Sequence, residues 1–202
     1  MFHLPFSSKP MFTVIFWLAC TAWILPEVFA WRVRRSSDSS QARDRGSLDL
    51  IVVLWWMGIA MAVLMAVLMA ALLPQAAMPW NRNAVFLTGI CLMLTGVALR
   101  WYSTAILGKY FTFDVAIQSG QALIEVGPYR YVRHPSYSGA LLSLLGFGLA
   151  LGNWAGLAAA MSCLGFAYLY RIPIEEQALS AALGDVYKQY IHRTWRLVPF
   201  VF

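Results

Sequence analysis

Two clusters of polar residues stand out in an otherwise apolar chain, and their chemistry is complementary. The first, residues 127–139, packs Arg130, Arg133, His134 and three tyrosines into thirteen positions. Gly127-Pro128 is a turn signal, and Pro135 followed by an apolar run reads as the first residue of a helix, where its missing N–H costs nothing. Arg133 and His134 then sit immediately before a helix N-terminus, whose free N–H groups favour negative charge. This is the chemistry of an anion site, for a carboxylate or a phosphate. A positively charged cap holding a membrane helix at the lipid headgroups would use the same residues. The second cluster, Arg171-Ile-Pro-Ile-Glu175-Glu176, sets paired acids one turn after an arginine. Those acids could simply complement a helix dipole. On one face of one small bundle, however, the two clusters suit a zwitterionic ligand carrying both an ammonium and a carboxylate.

The elements that must position these residues are membrane helices. Of the 202 residues 60% are hydrophobic and only 12% charged, and several runs can cross a hydrocarbon core of roughly 30 Å. The expectation is an all-α polytopic bundle forming a single integral domain over residues 1–202. Its five spans are Met11–Trp31, Ile51–Leu73, Ala84–Leu99, and a short hairpin of Tyr137–Leu151 and Trp154–Tyr170. The first span lies too far from the terminus, and has too many arginines after it, to read as a cleaved signal peptide. Glu27 near its end faces either the bundle interior or the solvated interface. Residues 32–47 read as an exposed loop and 74–83 as a turn. Gly89 and Gly96 offer close helix packing, and Arg100 would snorkel to the interface. Residues 106–133 would lie at the membrane surface. Pro173 predicts a kink or a new helix start, after which Ile174–Ile191 reads as a surface helix.

The net charge of +6 does not indicate nucleic acid, because the basic residues flank apolar spans instead of forming a solvated face. With five spans, thirteen of the 15 Lys and Arg residues fall on one side and only Lys9 and Arg82 on the other. That split places the N-terminus outside and the C-terminus in the cytosol, with both polar clusters on the cytosolic face. The membrane would be the cytoplasmic one in a bacterium or the endoplasmic reticulum in a eukaryote. Cys20, Cys91 and Cys163 each lie inside an apolar run, so no metal site or disulfide framework is implied.

Five motifs carry a resemblance. They are Gly127-Pro-Tyr-Arg, Arg133-His-Pro-x-Tyr137-x-Gly139, Arg171-Ile-x-x-Glu175-Glu176, Gly184-x-x-Tyr187-x-x-Tyr190 and Thr194-x-Arg196-x-x-Pro199. In order and spacing they resemble the isoprenylcysteine carboxyl methyltransferase family, over roughly the C-terminal half of the chain. The resemblance implies a membrane-embedded enzyme that uses S-adenosylmethionine on a lipophilic small-molecule or prenylated acceptor, with membrane lipids as its other partners. It implies a cofactor part over about 106–202, with Arg133, His134, Tyr137 and Gly139 in the pocket, Glu175 and Glu176 opposite, and Leu123, Val126, Gly127 and Tyr129 walling the adenosyl end. It also implies Arg171 near the reacting centre, with Tyr187 and Tyr190 toward the acceptor. No glycine-rich strand-to-helix loop of the soluble dinucleotide-binding kind occurs.

The chemistry itself asks for little more. A carboxylate acceptor is ionised at neutral pH and needs only orientation, which a guanidinium such as Arg171 provides. An amine acceptor must lose a proton, and Glu176 would assist. Phospholipid amines, other lipids and thiols are alternative acceptors. Sterol reductases also resemble the Arg-His-Pro-x-Tyr region, but Ala140 stands where their pattern carries an acid. A transporter or scaffold would show an internal repeat, and none is evident.

Overall fold

The computed structural model describes residues 10–33, 46–72, 78, 81–113, 115 and 120–201. Lys9, the loop over 34–45, most of the turn over 74–80, Asp114 and residues 116–119 lie outside the described residues. Six helices follow in order: α1 (Pro10–Val33), α2 (Ser47–Leu72), α3 (Arg82–Leu107), α4 (Pro135–Ala150), α5 (Trp154–Leu183) and α6 (Asp185–Arg193). Short 3₁₀ turns occupy Gly108–Tyr110 and Gly127–Arg130. The all-helical membrane bundle is as the composition predicts. Among the described residues four helices, α1, α2, α3 and α5, are long and apolar enough to cross a membrane. The fifth expected span, α4, has 16 residues, about 24 Å of helix against a ~30 Å core.

Glycines set how α4 sits. Gly89 and Gly96 on α3 face Gly146 and Gly139 on the antiparallel α4, one heptad apart on each helix. A Cβ at Gly146 would lie 2.3 Å from Met93 N, and one at Gly96 would lie 2.4 Å from Ser143 N. No other residue type permits that separation, and the Ser143 hydroxyl crosses it to Met93 O at 3.2 Å. Gly156 does the same where α2 runs along α5, an added Cβ lying 2.8 Å from Ala62 O, while at Gly58 the nearest contact would be a milder 3.3 Å. The α4–α5 hairpin turns at Gly152, with φ of 67°, and the Asn153 side chain caps α5 through Gly156 N. Trp23 of α1 fills the centre, packed on Phe147 and Trp55.

Three boundaries differ from expectation. Helix α3 runs past Leu99 to Leu107, so Arg100 lies within it and does not snorkel. It reaches instead across the bundle to Glu27, whose carboxylate it grips with both Nε and Nη2. The interior position of Glu27 is therefore the one realised. Helix α5 continues unbroken through Pro173 to Leu183. Proline removes only one backbone hydrogen bond, and α2 packs along α5. Consequently the surface helix begins at Asp185, not Ile174.

Candidate active site

The two polar clusters meet where α4 begins and α5 nears its end. Pro135 starts α4 as its spacing predicts, which turns Tyr137 inward to stack between His134 and Tyr168, at centroid distances of 5.4 and 4.4 Å. The Tyr137 hydroxyl donates to Glu175 Oε2 at 2.6 Å and accepts from Arg171 Nε at 2.9 Å. Arg171 is buried. Its Nη1 donates to Ser47 Oγ at 3.0 Å and its Nη2 to Phe113 O. A guanidinium, a phenol and a carboxylate thus form one chain of charge-assisted hydrogen bonds in a low-dielectric setting.

Glu176 serves a second network. Arg133 Nε donates to it at 2.8 Å and Arg196 Nη2 at 2.9 Å, while His134 Nε2 lies 3.5 Å away. Arg133 also donates to Ile191 O and Thr194 O. The stretch after α6 is then laid beside residues 131–134 by backbone bonds from Arg133 N to Trp195 O and from His134 N to Arg196 O. Glu176 thereby ties α5, the loop before α4 and the segment after α6 together.

Two cavities flank this arrangement. The polar one is lined by Arg133, His134, Tyr137, Arg171, Glu175, Tyr129, Tyr187, Tyr190 and Leu123, with Leu107, Leu179 and Leu183 as apolar wall. The apolar one, of about 350 Å³, lies between α1 and α2 and is lined by Trp23, Trp55, Trp56, Phe113, Tyr168 and the Glu27–Arg100 pair. Tyr137 and Arg171 line both, as do Phe111 and Thr112. Burial, reinforced by the Glu175 carboxylate, pushes the phenols of Tyr129 and Tyr187 well above the usual range, and burial does the same to Tyr190. All three stay neutral; Tyr190 donates to Tyr129 O at 2.6 Å.

Nine of the predicted site residues therefore line the polar cavity, and four do not. Glu176 sits behind the wall, held by its cationic partners. Gly139 is spent on the helix crossing, where a Cβ would meet Arg100 N at 2.7 Å. Gly127 packs against Ile106, and Val126 is exposed. Tyr187 and Tyr190, expected toward the acceptor, line the polar cavity and not the apolar one. Sequence reasoning did not find Ser47, Tyr168 or the tryptophan wall. An acid at Glu27 inside an apolar span was the available signal.

The polar cavity carries both a carboxylate, Glu175, and cationic side chains, Arg133 and Arg171, in its lining. Glu175 keeps 29% of its side chain exposed there, and the buried His134 Nε2 makes no hydrogen bond. The sequence model of the isoprenylcysteine carboxyl methyltransferase family matches residues 87–181. A rice protein (Oryza sativa subsp. indica) named "Probable protein-S-isoprenylcysteine O-methyltransferase" is 29% identical over 154 residues, covering 75% of this chain and 79% of its own. Protein-S-isoprenylcysteine O-methyltransferase B of Arabidopsis thaliana is 32% identical over 115 residues, covering 56% of this chain and 58% of its own. A solved eukaryotic intramembrane Ras methyltransferase shares the fold with a TM-score of 0.62 at 21% identity, over 98% of this chain and 68% of that one.

Proposed function

We propose, from the match of residues 87–181 to the isoprenylcysteine carboxyl methyltransferase family, that this chain methylates the carboxylate of an isoprenylcysteine-like acceptor with S-adenosylmethionine. The observation that carries the reading is the junction. A polar cavity and an apolar, tryptophan-walled cavity share Tyr137 and Arg171 as common lining, so a water-soluble donor and a lipophilic acceptor can meet there.

In this reading Glu175 receives the ammonium of the cofactor, His134 lines the pocket beside it, and Leu107, Leu179 and Leu183 cover its less polar part. When bound, S-adenosylmethionine supplies a methyl group already activated on a sulfonium. The chain's own residues orient and exclude water, which is most of what such a transfer needs. Arg171 aligns the acceptor carboxylate from the junction, and Tyr137 fixes Arg171 on one side and Glu175 on the other. No general base is required, because the carboxylate enters ionised. Trp23, Trp55 and Trp56 hold the lipophilic part of the acceptor out of water. The bias of the flanking Lys and Arg residues toward the side of both polar clusters supports supply of the cofactor from the cytosol.

The test is transfer of radiolabelled methyl from S-adenosylmethionine to N-acetyl-S-farnesylcysteine by the purified protein in lipid nanodiscs. The expected product is a methyl ester that releases volatile methanol in base. A base-stable product on a phospholipid amine, or no transfer, would overturn the carboxylate assignment.

A further inference from the structure

We propose that Ser47 is a positioning residue for the acceptor carboxylate, acting through Arg171; this rests on the carboxylate reading above. Arg171 presents five N–H donors in one plane, and among the described residues anchors from three separate segments hold it. Nε donates to Tyr137 OH on α4, Nη2 to Phe113 O in the loop after α3, and Nη1 to Ser47 Oγ at the first turn of α2, at 2.9 Å for Tyr137 and 3.0 Å for Ser47. Ser47 lies 124 residues from its partner in sequence and is fully buried. It is also outside the stretch that matches the family. Its neighbour Leu48 lines the apolar cavity while Ser47 does not. The hydroxyl therefore acts from behind the wall, on the guanidinium and not on the acceptor.

The anchors divide the work. A bond to Nε alone fixes where the guanidinium is but leaves its plane able to pivot. The bonds to Ser47 and to Phe113 O together stop that pivot, the Ser47 bond being the one a side-chain replacement removes, and a fork that recognises both oxygens of a carboxylate depends on a fixed plane. Ser47 thereby makes α2, whose Trp55 and Trp56 line the acceptor cavity, a determinant of selectivity for an acid over its neutral ester.

The test measures equilibrium binding of N-acetyl-S-farnesylcysteine and of its methyl ester to cofactor-free protein in nanodiscs, alongside turnover. The wild type should prefer the acid. Ser47→Ala should lower that preference and kcat by roughly tenfold, the equivalent of one hydrogen bond. S-adenosylmethionine affinity should stay within about twofold of the wild type, and Ser47→Thr, which keeps the hydroxyl, should retain the preference. If Ser47→Ala does not assemble, Ser47→Cys, with a poor acceptor of similar size, is read the same way. An acid preference unchanged in Ser47→Ala overturns the inference alone. So does a loss of cofactor affinity and melting temperature in parallel with turnover, which marks a structural role. A wild type that binds acid and ester equally removes the carboxylate reading, and the inference with it.

Discussion

Tyr137→Phe removes a single oxygen from the junction and leaves its packing alone. The ring stacks on His134 and Tyr168 survive, so the bundle should assemble normally. What disappears is the link between Arg171, which donates to that oxygen at 2.9 Å, and Glu175, which accepts from it at 2.6 Å. A hydrogen bond to a charged partner contributes about 1.5–3 kcal/mol. Glu175, partly exposed, recovers much of its loss by hydration. Arg171 is buried and does not. The expected fall in kcat is therefore roughly ten- to a hundredfold, with a smaller loss of S-adenosylmethionine affinity. Initial rates with labelled cofactor, compared with calorimetric binding of the cofactor alone, separate the two. A kcat within about twofold of the wild type would refute the claim that this phenol links the cavities, and cofactor affinity falling as far as kcat would place its role entirely in the polar one.

Gly146→Leu should unfold or strongly destabilise the bundle, because its Cβ would already overlap Met93 N and Gly89 O; overpacking of this kind costs about 1–3 kcal/mol or more. Gly165→Ala, where no atom lies within 4 Å of the added carbon, should leave the melting temperature unchanged or raise it. Glu27→Ala should cost about 1.5–3 kcal/mol by removing the carboxylate from the partly buried Arg100, and the double replacement Glu27→Leu with Arg100→Leu should recover most of it in a mutant cycle of melting measurements. In a background without the native cysteines, Asp49→Cys and Trp154→Cys should label from opposite sides of sealed vesicles, Asp49→Cys from the cytosolic side.

What could be read from the sequence was what local chemistry dictates. The run from Ile51, the Pro135 start of α4 and the Gly152-Asn153 turn each depend on neighbours in the chain, and each appears where the spacing puts it. Pro173 misled for the same reason. A local rule offers a kink or a new helix start there, and the new start does not occur: α5 runs on to Leu183. The partners of polar side chains were harder. Glu27 and Arg100 are 73 residues apart, and nothing in either neighbourhood names the other. The site was legible as a set of residues, because Arg133, His134, Tyr137, Arg171 and Glu175 converge as their motifs imply. The division of labour within it was not. Adjacent Glu175 and Glu176 look equivalent in sequence, yet successive positions on a helix point about 100° apart. One therefore faces the cavity and the other the cationic hub behind it. Gly139 sits in the same motif as His134, but its backbone is needed by α3.

The central claim is that the acceptor occupies the cavity between α1 and α2 and meets the cofactor at Tyr137 and Arg171. A diazirine-bearing prenylcysteine analogue, photolysed on the protein in nanodiscs and mapped by mass spectrometry, tests it directly. The account predicts label on Trp23, Trp55 and Trp56, suppressed by excess unmodified prenylcysteine. Label confined to outward residues such as Trp17 and Phe29, which are 62% and 69% exposed, and indifferent to that competitor, would contradict it.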